Sequence, residues 1–281
     1  MLAGRAFVYK LYPFLSSEIG HDFNLEDALH WGTLPSILYE MNTSDEKAQF
    51  LRAYTQTYLK EEIWLEQFIR RIDPFRKFLE VAAQCNGEIL NVSNIARDVG
   101  VDDKTIRQYF SILEDTLMGF MLEAYQPSIR KRVLSKPKFY FFDIGVCRSL
   151  SKTLTIPLRK SSSDYGKTFE HFIILECVRL ASYYYPDYTF SYLRTHTDAE
   201  IDLVVERPGE KTLVIEIKSS DNVREDKLTS FARLSKEIDN SEVICISQDK
   251  NAKKINDVMV LPWRDALEKY FLKSSASEEQ R

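Results

Sequence analysis

Cysteine is scarce and scattered: Cys85, Cys147, Cys177 and Cys245 are all that 281 residues contain, and no two stand as a CxxC. That spacing excludes a cysteine-based zinc site and a small disulfide-stapled fold, and leaves four reduced core thiols. Long apolar runs are missing too. No stretch approaches the ~20 residues that a membrane helix needs, and the N-terminus lacks the apolar core of a signal peptide, so the expected compartment is the cytoplasm. An excess of positive charge is also absent, the balance being a net charge of -4. Any contact with nucleic acid must therefore use a local basic patch. Finally, there is no phosphate loop. Gly166-Lys167-Thr168 imitates its end, but Ser161 stands where the motif needs glycine, and no apolar strand precedes it. A helix start after a Ser-rich stretch accounts for these residues better, and no ATP-binding or ATP-hydrolysing site is expected in this chain alone.

What is present is an ordinary globular composition, 44% hydrophobic and 28% charged, with room for about two or three domains. Its most informative segment is a pair of alternating strands, residues 199–206 and 212–218, joined by Arg207-Pro208-Gly209-Glu210-Lys211. Period-two alternation puts Ile201, Leu203 and Val205 on one face with Leu213, Ile215 and Ile217, and Glu200, Asp202, Glu216 and Lys218 on the other. One face would be core, the other chemistry or water. Pairing symmetric about the Pro-Gly loop sets Asp202 opposite Glu216 and Glu200 opposite Lys218. A solvated face explains the second pair. It does not explain the first, because opposed side chains have Cβ atoms about 5 Å apart and like charges there are destabilising. Such a pair calls for a cation or a raised pKa, and a hard cation with oxygen ligands, Mg2+ or Mn2+, suits it.

Along the chain, residues 21–73 read as a helical region, with apolar positions such as Phe50, Tyr54, Tyr58, Ile63 and Phe68 at helical spacing. Residues 74–150 carry helix-turn-helix spacing: a short helix capped near Ser93, a turn at Gly100, and a second helix capped by Asp102 or Asp103. Two strands follow, Met118 to Ala124 and Lys138 to Phe142, enclosing Arg130, Lys131, Arg132 and Lys136. That is the pattern of a winged helix. Lys104, Arg107, Gln108 and Ser111 would be exposed on the second helix, and the basic wing, Lys138 included, could lie on phosphates. Equally, such a module can serve only protein contacts. Residues 151–165 read as a linker and residues 166–272 as an α-β-β-β-α-β domain with a mixed sheet, while 273–281 form a polar, mobile tail. Glu170 falls in the first turn of that domain's leading helix, where the dipole alone would favour it. Glu176 competes with it on the same helix. His171 and His196 lack partners at metal-binding spacing.

Glu170 on a helix, Asp202 on a strand, then Glu216-Ile217-Lys218 on the next strand resemble the PD-(D/E)XK nuclease superfamily. That resemblance implies a restriction-endonuclease-like fold. It also implies metal ligation by Asp202, Glu216 and Glu170, with Lys218 at the attacking water and Glu200 as a supporting or alternative ligand. More broadly, Leu2-Ala3-Gly4-Arg5, Leu11-Tyr12-Pro13-Phe14-Leu15-Ser16-Ser17-Glu18, Gly32-Thr33-Leu34-Pro35, Tyr54 to Glu62 and Lys138-Phe139-Tyr140-Phe141-Phe142-Asp143-Ile144-Gly145 resemble the C-terminal region of bacterial and archaeal AAA-type ATPases of unknown function. Residues 1–20 would then be a remnant carrying the last strand of an ATPase domain. The expected chain is a truncated product, an isolated part or a split subunit, with an ATPase partner in trans or in the full-length protein. The expected function is a DNA-associated module with Mg-dependent phosphodiester hydrolysis and no membrane contact. The alternatives are a non-catalytic nuclease-like and winged-helix platform for DNA or protein, or a winged-helix transcription regulator.

Overall fold

The computed structural model describes residues 10–65, 72–126, 136–195 and 199–272, with side chains for all of these except 58–65. Of the expected first strand, Ala6 to Phe14, residues 10–14 are described and form no strand, while its earlier residues, the basic residues Arg130, Lys131 and Arg132, His196 and the tail 273–281 lie outside the described residues. The N-terminal part is helical: α1 Ser16–Ile19, α2 Leu25–Trp31, α3 Pro35–Tyr39, α4 Ser44–Leu65 and α5 Ile72–Gln84. Local chemistry explains the starts. Asn24 accepts the Asp27 N–H ahead of α2, and Pro35 takes the first position of α3, where its missing N–H costs nothing.

Next come α6 Val92–Val99 and α7 Asp103–Asp115. Asn91 rather than Ser93 caps α6, and the Ser93 hydroxyl instead donates to Asp103 at 2.6 Å. Gly100 turns the chain in the left-handed region at φ 85°, and Asp102 caps α7 through the Thr105 N–H. Ile95, Val99, Ile106, Tyr109 and Phe110 bury against Phe75, Phe78 and Leu79 of α5. Each such apolar side chain contributes about 1.5–3 kcal/mol when fully buried.

The remaining elements are β1 Gly119–Ala124, β2 Lys138–Phe141, α8 Ile144–Leu150, α9 Ser163–Tyr184, β3 Thr189–Arg194, β4 Glu200–Glu206, β5 Thr212–Lys218, α10 Thr229–Leu234, β6 Ser241–Ser247, β7 Lys253–Ile255, β8 Val258–Pro262 and α11 Trp263–Phe271. The expected α-β-β-β-α-β order is present as α9-β3-β4-β5-α10-β6. The protein is α/β, with a mixed eight-stranded sheet in the order β2-β1-β3-β4-β5-β6-β8-β7. β1 and β2 form an antiparallel hairpin, as the wing expectation has it, but β1 also runs parallel to β3, so the hairpin is one end of the large sheet. The expected linker is packed: Leu154 is 4% exposed, and the Arg148 guanidinium donates to the carbonyls of Thr153 at 2.7 Å and Ile156 at 2.8 Å.

Both faces of the sheet centre are covered, which corrects the expectation of one core face and one open face. Leu203, Val205, Leu213, Ile215 and Ile217 pack under α9 and α11. Val204 and Val214 pack on the other side, against Phe231 and Leu234 of α10.

A buried polar junction ties the N-terminal helices to this layer. Glu176 of α9, 1% exposed, accepts the Ser16 N–H at 3.2 Å and its hydroxyl at 2.5 Å, so the competitor to Glu170 holds the start of α1. Asp143, also 1% exposed, accepts the N–H groups of Thr33 at 2.9 Å and Val146 at 3.0 Å, and Arg179 donates to the Phe142 carbonyl. Gly32 makes this approach geometrically feasible: its φ is +76°, and a Cβ there would lie 2.2 Å from Asp143 Oδ1. Gly32→Ala is therefore expected to lower unfolding free energy by about 2–4 kcal/mol, by strain and by displacing a buried carboxylate. Urea denaturation measures it, and a loss under about 0.5 kcal/mol would show that the junction gives way cheaply.

Candidate functional site at the end of the central strands

The site forms where β4 and β5 leave their regular ladder. They pair Leu203 with Ile215, Val204 with Val214 and Val205 with Leu213. This is the symmetric register expected from the Pro-Gly loop, and its continuation sets Asp202 against Glu216. Beyond Leu203 the Asp202 carboxylate itself accepts the Ile217 N–H at 2.7 Å.

On its other edge β4 carries an irregularity. β3 pairs Ser191 with Val204 but Leu193 with Ile201, so β4 spends three residues where β3 spends two. The extra residue reverses the alternation upstream of Asp202. Ile201 consequently joins Val204 and Phe231 in the α10-side core, not Leu203. Glu200 is freed from its expected place opposite Lys218 and instead pairs with Lys138 of β2 and, at 3.6 Å, with Arg194.

Four carboxylates gather here with two lysines. Glu170 of α9 accepts a hydrogen bond from the Tyr140 hydroxyl at 2.8 Å and has the Lys138 ammonium at 3.6 Å. Glu216 is 7% exposed; one of its oxygens pairs with Lys218, while Oε2 is buried with no hydrogen-bond partner among the described residues. Burial, reinforced by the charge of Asp202, pushes the Glu170 carboxyl up to about 7. Burial, reinforced by Glu216, likewise pushes Asp202 up to about 7. Glu216 is raised as well, chiefly by burial and against the pull of Lys218. For Lys138 and Lys218, burial acts downward, but the surrounding carboxylates outweigh it and both ammonium groups are held more firmly charged.

Among the described residues no three His, Cys, Asp or Glu side chains stand arranged as a finished metal cage. The lysines take separate partners: Lys138 pairs with Glu170 and Glu200, and Lys218 with Glu216. His171 takes no part. Its Nε2 contacts the Phe141 carbonyl at 2.7 Å, and burial pushes its pKa down to about 4, so the ring is neutral.

Lys138 and Tyr140 are the residues contacting this cluster that sequence reasoning missed. Lys138 was expected in an exposed basic wing, yet it is 4% exposed and lies over the Tyr192 ring at 5.2 Å. Alternation in β2 was the available signal, since it puts Lys138 and Tyr140 on one face. The other expected nucleic-acid residues stay apart from the carboxylates: Lys104, Arg107 and Gln108 are exposed on α7, and Lys136 is exposed just before β2. A cavity of about 530 Å3, lined by Arg52, Thr55, Arg76, Ser149 and Lys152 among others, shares no residue with the site.

Two family models match this chain, a domain of unknown function (DUF8612) over residues 22–156 and another (DUF4143) over residues 165–266. The second is found in AAA-ATPase-associated proteins. The eight-stranded sheet straddles both matches. Two curated relatives, the uncharacterized proteins Rv2008c of Mycobacterium tuberculosis and Mb2031c of Mycobacterium bovis, are each 27% identical over 210 residues, covering 74% of this chain and 46% of theirs. The chain thus spans less than half the length of the curated relatives it matches. A solved assembly of Thermococcus gammatolerans McrB AAA+ hexamers with bound McrC aligns at a TM-score of 0.31 and 12% identity, over 80% of this chain and 64% of the matched chain. Among the described residues no helix is long and apolar enough to cross a membrane.

The raised carboxyls set a pH dependence. Folded Asp202 and Glu170 keep protons up to about pH 7, whereas unfolded Asp and Glu release theirs near pH 4. The native state binds more protons across that window, so these groups reduce stability as pH rises from about 4 to 7. Asp202→Asn is expected to flatten the profile and, without divalent ions, to gain about 1–3 kcal/mol at pH 8, each pKa unit being worth about 1.4 kcal/mol. Thermal melts from pH 4 to 8 read this directly. A variant less stable than wild type at pH 8 would show the ionised carboxylate to be well accommodated.

Proposed function

We propose that this chain is a DNA-associated module of an AAA-type ATPase assembly, whose C-terminal part carries out divalent-metal-dependent phosphodiester hydrolysis. The observation that carries the reading is the crowding of half-buried Glu170 and Asp202 and buried Glu216 beside Lys218, with Glu216 Oε2 left without a hydrogen-bond partner among the described residues. Like charges buried together are costly unless a cation or a proton joins them. The donor set, carboxylate oxygen throughout, fits a hard cation such as Mg2+ or Mn2+.

Asp202 and Glu216 would hold the metal, and Glu170, from α9, would hold the metal or the attacking water. Bound there, the cation would supply positive charge for a phosphoryl oxygen and make a bound water more acidic. Lys218, whose ammonium rests on Glu216, would orient or activate the water and then stabilise charge developing on phosphate oxygens. Glu200 would support the constellation through Lys138. The exposed side chains of Lys104, Arg107, Gln108 and Lys136, together with Arg130, Lys131 and Arg132, would grip backbone phosphates as a winged helix does. Association with an ATPase rests on the sequence motifs quoted above and on the match to a domain of AAA-ATPase-associated proteins.

One observation favours a second reading, in which the fold is a non-catalytic platform for DNA or protein. Lys138 and Lys218 already pair with three of the carboxylates from within the chain. Incubation of the whole chain with plasmid and linear DNA in Mg2+ or Mn2+ separates the two. Cleavage that falls by about 10²-fold or more in Asp202→Ala, Glu216→Ala and Lys218→Ala supports hydrolysis at this site. Cleavage unchanged in these variants, or no metal affinity even with DNA bound, leaves the platform. DNA binding is tested separately: Lys104→Ala and Arg107→Ala should each weaken binding on all sequences and reduce the salt slope by about 1. An unaltered slope would remove α7 from the interface.

A further inference from the structure

Lys138 is an unusual resident of an acidic site. It arises on β2, separated from β4 by β1 and β3 in the sheet. Its side chain is nonetheless 4% exposed and ends between carboxylates of two other elements: Glu200 of β4, with which it pairs directly, and Glu170 of α9, at 3.6 Å. The ammonium also lies over the face of the Tyr192 ring, 5.2 Å from its centroid. Tyr140, two residues on, donates to the same Glu170 oxygen that faces the lysine. An ammonium group taken out of water is strongly destabilised unless opposite charges meet it, and two carboxylates within ion-pair distance supply that compensation. Lys138 is therefore retained by Glu170 and Glu200 together, as a bound cation would be.

The charges divide accordingly. Among the described residues Glu170 and Glu200 face Lys138 directly, with Arg194 on the far oxygen of Glu200, whereas Glu216 pairs with Lys218, Asp202 accepts the Ile217 N–H and feels both lysines only at longer range, and Glu216 Oε2 has no hydrogen-bond partner. We propose that the Lys138 ammonium is a built-in substitute for a divalent cation at Glu170 and Glu200, so that a metal can enter only on the Asp202 and Glu216 side. This deepens the hydrolase reading and rests on it for the metal at Asp202 and Glu216. It makes Lys138 a positioning residue that moves Glu170 from metal ligation to the water. Loss of its charge would free a second acidic pair for a second cation.

Counting Mn2+ bound per chain, by calorimetry and by the electron paramagnetic resonance signal of free Mn2+, tests this on the whole chain. Lys138→Met keeps an unbranched apolar stem and removes the charge. It is expected to bind one Mn2+ more than wild type, and the gain should vanish in Lys138→Met/Glu170→Gln. Lys138→Arg should keep the wild-type number. If Lys138→Met fails to fold, the wild-type background still decides: Glu170→Gln alone should leave the number of bound Mn2+ unchanged, because Lys138 already occupies that carboxylate. The proposal is overturned by an equal number in wild type and Lys138→Met, or by loss of Mn2+ in Glu170→Gln. The hydrolase reading has its own readout, since it requires at least one Mn2+ in wild type that Glu216→Gln removes. Wild type binding none while Lys138→Met binds one would reject that reading and support the lysine as the cation's substitute.

Discussion

The ammonium of Lys138, buried between Glu170 and Glu200, joins segments that lie far apart in the chain and gives the site its charge balance. β2 comes from the part of the chain that also forms the helix-turn-helix, while α9 and β4 belong to the C-terminal α/β layer. Because Coulomb attraction deepens as water is excluded, this contact exists only when the β1–β2 hairpin is docked beside β3. The parallel pairing of Glu123 with Ser191 and Ala124 with Tyr192 makes that docking. The helical part and the carboxylate cluster are therefore tied to one sheet.

The second constraint is the extra residue in β4. A regular strand would place Glu200 and Asp202 on the same face and leave Glu200 beside Lys218. The irregularity between the Ser191 and Leu193 pairings turns Glu200 toward Lys138 and sends Ile201 into the α10-side core. Asp202 sits at the change of alternation, with its carboxylate on the Ile217 N–H. A bulge of this kind re-aims side chains at a site. Here it separates the acidic residues into one pair held by Lys138 and another beside Lys218.

Much of this was legible in the residues. The hairpin register followed from period-two alternation and a Pro-Gly loop, because both are local. The Gly100 turn, the Asp102 cap and the α-β-β-β-α-β order were readable for the same reason. The site was legible as four residues, Glu170, Asp202, Glu216 and Lys218, but Lys138 was not, because an ammonium ion in a basic stretch carries no local mark of burial. Nor did alternation alone disclose that Val204 and Val214 are core. A strand covered by helices on both faces reads as a continuous apolar run, as Leu203-Val204-Val205 and Leu213-Val214-Ile215 do, but the covering element α10 lies later in the chain.

The amino-acid sequence by itself determined the elements, their caps and turns, the β4–β5 register, and the placing of an acidic pair across it. These depend on backbone sterics and on neighbours a few residues away. Tertiary structure alone decided which carboxylate meets which cation, that the wing-like hairpin extends the eight-stranded sheet, and that Glu176 and His171 serve the fold rather than the site. Those outcomes depend on distance through space and on the removal of water, and neither exists until the layers have closed.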